Sequence, residues 1–389
     1  MRGRVFSICV YPRSSAVPFF VNGEIISLAT PGVQGLQPYQ PGKPIEELER
    51  EYGVRNAVKL ASNENPLGPS PLAVAAAGAA LKDIARYPDG NGFALKQALA
   101  RKLAVAPAQI TLGNGSNDVL ELTARAFVQP EHEVIFSEHA FAVYPLVARA
   151  VGARTVEVKA RDWGHDLGAL RAAVSPRTRL IFIANPNNPT GTWLHAPELK
   201  AFIADLPAHV IVVVDEAYFE YVRADGYESA LPWIGRYPNL IVTRTFSKIH
   251  GLAGLRVGYG VSSPEVADVL NRVRQPFNVN SVALAAAGAA LADDEHVERT
   301  ARLNREGMRR LTAAFGAMGL EFIPSVGNFV CVDLGRPAAP VYERLLREGV
   351  IVRPVANYGM PRHLRVTVGL LEENERFLGA LEKVLRTED

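Results

Sequence analysis

At 389 residues, 48% of them hydrophobic and 21% charged, the chain is long enough for one large or two medium domains and lacks a disordered or low-complexity composition. Its 42 basic and 40 acidic residues leave a formal charge of +2 with no basic run, which argues for a small-molecule partner and against nucleic acid or an anionic membrane. Two cysteines, Cys9 and Cys331, cannot build a disulfide framework, have no metal-ligand spacing and fit a reducing, cytoplasmic setting.

No apolar run reaches the roughly 18 residues of a membrane span, and VFSICVYPRSSAVPFFVNGE is too interrupted by proline and polar residues for a secretion signal. Residues 1–35 are expected to be an N-terminal extension or arm. From LQPYQPGKPIEELEREYG onward, prolines give way to a short charged amphipathic helix, then an extended Asn-, Gly- and Pro-rich loop, then an Ala-rich helix. The heptamer AAAGAAL of that helix (75–81) recurs at 285–291 without matching flanks, which reads as a bias for small helix formers rather than a repeat.

The middle of the chain alternates β-branched runs with helical patterns: QITL (109–112), HEVIFS (132–137), RTVEVK (154–159), TRLIFIA (178–184), HVIVVVD (209–215) and NLIVTRT (239–245). Nearly continuous apolar strands separated by helices predict an α/β fold with a mainly parallel central sheet flanked by helices. After residue 260 helices are expected, including a long amphipathic one within 291–319. Short strands in NFVCVDL, VIVRP and HLRVTVG then suggest a smaller α+β unit.

In open parallel sheets ligands gather beyond the carboxyl ends of the strands. After QITL comes GNGSND (113–118), a tight turn leading into a helix whose free N–H groups suit a phosphate. After TRLIFIA comes NPNNPTG with the amide of Asn188; after HVIVVV comes Asp215, with Tyr218 close behind; after NLIVTR come Thr245, Ser247 and Lys248, with Arg256 beyond. Each signal alone has an ordinary structural reading, as a helix cap, a solvated lysine or a surface ion pair. Together they supply an amine for a Schiff base, an acid for a pyridinium, a phenol for a ring oxygen and a phosphate cup, which is the set needed by pyridoxal 5′-phosphate.

The ordered motifs KLASNENPLGPSP, RYPDG, ITLGNGSND, NPNNPTG, DEAYFEY, RTFSKIHGLAGLRVGYG, RQPFNVN, NFV, GVIVRP and LRVTVG resemble the fold-type I pyridoxal-phosphate aminotransferases, and among them the histidinol-phosphate aminotransferase family, over more than nine-tenths of the chain. The resemblance implies a large cofactor-binding domain at 86–285, a small C-terminal domain at 286–389, and a segment at 36–85 that adds to the small domain and to dimer contacts. It implies Lys248 as the Schiff-base lysine, Asp215 as partner of the pyridine nitrogen, Asn188 and Tyr218 as donors to the ring oxygen, and Phe141 stacked on the ring. Gly115, Ser116, Asn117, Thr245, Ser247 and Arg256 are expected on the phosphate, joined by Tyr87 from the second subunit of a homodimer. For substrate it points to Arg353 and Arg365 as anion ligands, with Tyr39 and Asn63 closing the pocket. His250 stands where many relatives carry an aromatic, and is a candidate local titrating group.

A free lysine has a pKa near 10.4 and needs desolvation or a nearby cation, here Arg256, to become a nucleophile. The implied reaction is ping-pong transamination of histidinol phosphate with 2-oxoglutarate to imidazole-acetol phosphate and L-glutamate, run in reverse for histidine biosynthesis, with Lys248 as general acid/base and no metal. The rivals are an aromatic amino-acid aminotransferase, a threonine-phosphate decarboxylase, and a ligand sensor that keeps the cofactor without turnover.

Overall fold

The computed structural model describes residues 23–386 apart from Gln40, so much of the expected arm, and Cys9, lie outside the described residues. Within the rest of that arm, a one-turn helix at Pro31–Gln34 lies against the helix Val143–Ala150. A Cβ on Gly32 would sit 1.9 Å from the Arg149 carbonyl oxygen, so only glycine permits the contact.

Thirteen strands form among the described residues: β1 (Val58–Lys59), β2 (Ile110–Gly113), β3 (Glu133–Ser137), β4 (Arg154–Val158), β5 (Thr178–Ala184), β6 (Ile211–Asp215), β7 (Leu240–Thr245), β8 (Gly258–Val261), β9 (Glu321–Ile323), β10 (Phe329–Asp333), β11 (Val350–Ile351), β12 (Arg353–Pro354) and β13 (His363–Thr367). The seven-stranded sheet runs β2-β8-β7-β6-β5-β3-β4, parallel except for β8. Its central strands are apolar on both faces because helices cover both, and Val212, Val213, Ile181 and Phe182 are fully buried.

Strand β8 is not among the strands expected from the sequence. Its glycines are steric: a Cβ on Gly258 would lie 2.4 Å from the Ser116 amide nitrogen, and one on Gly260 2.8 Å from Val119 Cγ1. Because β2 and β7 both run antiparallel to β8, their carboxyl ends emerge on the same edge of the sheet as those of β5 and β6.

A second core surrounds the antiparallel sheet β12-β13-β10-β9 and the helices Asp294–Ala317, Ala338–Arg347 and Leu371–Arg386, with Phe315, Val330, Leu345 and Phe377 buried at its centre. The N-terminal segment joins this core, since β1 pairs in parallel with β11. GVIVRP therefore serves two sheets: Val350 and Ile351 pair with β1, and Arg353 and Pro354 with β13.

The two AAAGAAL stretches meet. Helix Pro71–Ala80 packs along helix Ser281–Leu291, and Ala73, Ala283, Ala286 and Ala287 share the core of the seven-stranded sheet. Small side chains let the two helices approach closely, so the shared composition has a packing cause. The boundary expected at 285/286 falls within this second helix, Ser281–Leu291. No helix among the described residues is long and apolar enough to cross a membrane.

Candidate active site

One cleft opens where the sheet's carboxyl edge meets the second unit, and Lys248, Asp215, Tyr218, Asn188, Phe141, Ser116, Asn117, Thr245, Ser247, Arg256, Tyr39, Asn63, Arg353 and Arg365 all line it. Lys248 follows β7 between Phe246 and Ile249, both fully buried, which fix the chain on either side of it. Its Nζ donates to the Ser62 carbonyl oxygen at 3.0 Å and lies 5.7 Å from the Tyr218 ring centre. Burial first, then the positive charges of Arg365 and Arg256, lower its pKa to about 7. Arg365 thus outweighs Arg256, the cation expected to act on it.

Asp215 ends β6 and is 5% exposed. Its Oδ1 accepts from Thr243 Oγ1 at 2.9 Å and its Oδ2 from Tyr144 Oη at 3.0 Å. Burial raises its pKa to about 6, and those two donors oppose the rise. Tyr218 Oη accepts from Asn63 Nδ2 at 2.8 Å, leaving its own proton to donate elsewhere. Burial pushes its pKa to about 12, so it remains a neutral phenol. Asn63, expected to close over substrate, is 1% exposed and holds Tyr218, with its Oδ1 accepting from Thr367 Oγ1 at 3.2 Å.

The residues expected on a phosphate come together from three chain segments. Gly115, at φ 82° and ψ 165°, occupies a region open essentially only to glycine and begins the helix Ser116–Phe127, whose first N–H groups have no intrahelical partner. A Cβ there would meet Arg256 Nη2 at 2.4 Å, so the guanidinium packs against the turn. Arg256 Nη1 in turn donates to Ser247 Oγ at 3.4 Å, and the Ser247 amide to Thr245 Oγ1 at 3.1 Å.

Across the cleft, Arg365 on β13 donates to Asn188 Oδ1 at 2.5 Å and to the Ala61 carbonyl oxygen at 2.7 Å, while its buried Nε has no protein partner. With the Asn188 oxygen engaged by Arg365, its amide N–H groups remain as the donor toward the cleft. The Arg353 guanidinium lies 5.5 Å from the ring centre of Tyr39.

The comparisons with known proteins agree with this geometry. A family model described as "Aminotransferase class I and II" matches residues 55–381. Histidinol-phosphate aminotransferase 1 of Nitrosococcus oceani is 63% identical over 92% of this chain and 97% of its own, and histidinol-phosphate aminotransferase 2 of Pseudomonas aeruginosa is 61% identical over 93% and 99%. The chain belongs to the histidinol-phosphate aminotransferase family. A crystal structure of histidinol-phosphate aminotransferase from Sinorhizobium meliloti in complex with pyridoxal-5′-phosphate superposes with a TM-score of 0.86 at 34% identity, covering 93% of this chain and 99% of that one.

The family's cofactor can be tested on the residues themselves. A phosphate suits the turn that only glycine can make beside Arg256, a protonated ring nitrogen suits the buried Asp215 carboxylate, and an aldehyde suits an amine whose pKa is about 7. The donor set fits pyridoxal 5′-phosphate.

Two expected residues stand apart. Tyr87 does not line this cleft; it is 83% exposed, with its ring stacked 4.8 Å from Phe277. His250 is buried, and burial with the charges of Lys102 and His296 lowers its pKa to about 4, so it stays neutral near pH 7 instead of titrating there. Tyr144, Thr243 and Ser62 were not identified from the sequence. Tyr144, the tyrosine of AFAVY three residues after Phe141, had a positional signal; Thr243 and Ser62 had none.

Proposed function

We propose that this aminotransferase moves an amino group between histidinol phosphate and 2-oxoglutarate, giving imidazole-acetol phosphate and L-glutamate, and runs in the opposite direction in histidine biosynthesis. The observation that carries the reading is a single cleft in which Lys248, Asp215 and the Gly115–Arg256 cradle face the arginines Arg353 and Arg365, in a chain 63% identical to a histidinol-phosphate aminotransferase.

Pyridoxal 5′-phosphate, when bound, supplies an electron sink for the pair left at the substrate Cα. Ser116, Asn117, Thr245, Ser247 and Arg256 would hold its phosphate, Asp215 would keep the proton on its ring nitrogen, Tyr218 and Asn188 would donate to its ring oxygen, and Phe141 would cover one ring face. Lys248 Nζ, lying beside the substrate Cα, would take its proton and pass it to the cofactor side, since returning it to Cα would transfer no amino group. An amine with a pKa of about 7 suits both directions, since it is neither fully protonated nor a weak base at working pH.

Arg353 and Arg365 bind the anionic end of each substrate, a phosphate in one half-reaction and a carboxylate in the other; guanidinium forks fit both. One pocket serving two acids in turn requires ping-pong kinetics. Parallel double-reciprocal lines are expected, and intersecting ones would contradict this.

The same reading makes the protein a cytoplasmic homodimer. The exposed Tyr87 would leave its own protomer to reach the partner's phosphate cradle. The larger unit would hold the cofactor, and the unit around β10 and β13 the substrate anion.

The decisive experiment is a half-reaction. Cofactor-loaded protein is mixed separately with histidinol phosphate, phenylalanine and tyrosine, and loss of the lysine-bound cofactor's absorbance is followed. Fastest conversion by histidinol phosphate is expected; faster conversion by the aromatic amino acids would reassign the substrate.

A further inference from the structure

The strand-end acid is not held by its strand alone. Tyr144, on the helix Val143–Ala150, is fully buried, and its hydroxyl reaches Asp215 Oδ2 at 3.0 Å. Its ring lies flat on Phe182 of β5, with centres 4.6 Å apart and planes 6° apart. It also meets Phe141 edge-on, with centres 5.8 Å apart and planes at 88°. Two aromatic contacts thus leave the ring little freedom and aim its hydroxyl at one carboxylate oxygen. Phe141 lines the cleft, so Tyr144 touches both the residue expected over the cofactor ring and the acid expected beneath its nitrogen.

The geometry points to Tyr144 as a positioning residue that keeps Asp215 oriented and ionised toward the cofactor's ring nitrogen, an inference that rests on the functional reading above. A buried carboxylate that loses a donor is driven toward its neutral form, and a neutral acid cannot hold a proton on a ring nitrogen. The groups facing Asp215 divide in their effect. Burial weighs most against its charge and the adjacent Glu216 repels it, while Thr243 of β7 and Tyr144 donate to it and Lys248 attracts it, so the two hydroxyls and one amine offset part of the cost of burial.

A buried phenol of ordinary core type would behave differently. Replacing it by phenylalanine, which keeps the ring and its stacking, would then leave the cofactor unaffected. Tyr144→Phe is therefore the informative change, with Thr243→Val, which removes the other donor, as the parallel variant.

Each protein, loaded with pyridoxal 5′-phosphate, is titrated from acid to alkaline pH while the absorbance of the lysine-bound cofactor is recorded, and kcat is measured alongside. When the ring nitrogen gives up its proton, the ring withdraws less charge from the lysine link, whose own proton is then held to higher pH. The titration midpoint is expected to rise by roughly half a unit or more in Tyr144→Phe, with kcat falling roughly five- to tenfold, and to move in the same direction in Thr243→Val. Midpoints and kcat in both variants equal to those of the unaltered protein would overturn the inference while leaving the functional reading intact. Failure of the unaltered protein to take up the cofactor would overturn both.

Discussion

Arg353 and Arg365 are direct partners across the antiparallel pair β12-β13, so the sheet sets two guanidiniums opposite each other at the cleft. Like charges in such a pair repel, and the arrangement becomes favourable when a doubly charged anion lies between them. Arg365→Ala is expected to lower kcat/KM for histidinol phosphate by about 100-fold, since loss of one partner from a desolvated charge contact costs several kcal/mol. Inorganic phosphate should raise the Tm of the unaltered, cofactor-loaded protein, whose Gly115–Arg256 cradle is already filled, and lose most of that effect in Arg353→Ala. Thermal unfolding with and without phosphate checks it, and equal shifts in both proteins would remove the arginine pair from the anion site.

Lys248 has a folded-state pKa of about 7, below its ordinary value, so capture of the cofactor aldehyde by ligand-free protein should speed up as pH rises through about 7 and then level off. The stability consequence has a definite sign. Between about pH 7 and the usual lysine range the unfolded chain carries a proton that the folded chain lacks, so this residue makes stability rise with pH across that window. Lys248→Met should therefore gain more Tm over the unaltered ligand-free protein at pH 6.5 than at pH 9.5, the two pH values bracketing about 7. A gain independent of pH would place the lysine outside the buried, cationic setting described.

Asp215→Ala is expected to reduce turnover about 1000-fold or more, on the usual scale of preorganised electrostatic stabilisation. Steady-state kinetics at saturating cofactor makes the comparison. Activity within tenfold of the unaltered protein would separate Asp215 from the chemistry.

Gly115 is held in a backbone region other residues avoid, and a methyl group there would strike Arg256 Nη2. Gly115→Ala should weaken cofactor binding about 10- to 100-fold, from one to three kcal/mol of backbone strain together with a displaced guanidinium. The matched control is Gly78→Ala, on a helix where an added Cβ meets nothing within 4 Å; its cofactor affinity should be unchanged. Equilibrium titration of the ligand-free proteins measures both.

If Tyr87 serves the partner's cradle, inactive Tyr87→Ala and Lys248→Ala proteins should complement. Random mixing makes half of the dimers mixed, each with one intact site, so about a quarter of normal activity should return. Absence of recovery after verified subunit exchange would return Tyr87 to a surface role beside Phe277.

Much of the site was legible because a parallel sheet brings its strand ends to one edge. Asp215, Thr245 and the Gly115 turn could therefore be grouped from their position after apolar runs alone. Strand β8 escaped because its glycines, required by the closeness of Ser116 and Val119, erase the β-branched signature of a strand. The identical AAAGAAL stretches looked like composition because no local pattern shows that two helices some 210 residues apart pack together. Asn63 and Arg365 were placed in the cleft, but their partners, Tyr218 and Asn188, lie 155 and 177 residues away along the chain.

Residue order was sufficient for the fold class and for setting Lys248, Asp215 and the Gly115 turn at the ends of strands, since each depends on a local pattern ending at a strand terminus. The pKa of Lys248, the neutrality of His250, the donors on Asp215 and the opposition of Arg353 and Arg365 were decided only in three dimensions. Those properties depend on burial and on charges brought close by chain segments far apart in sequence, and electrostatic energy follows distance and surrounding medium, which residue order does not contain.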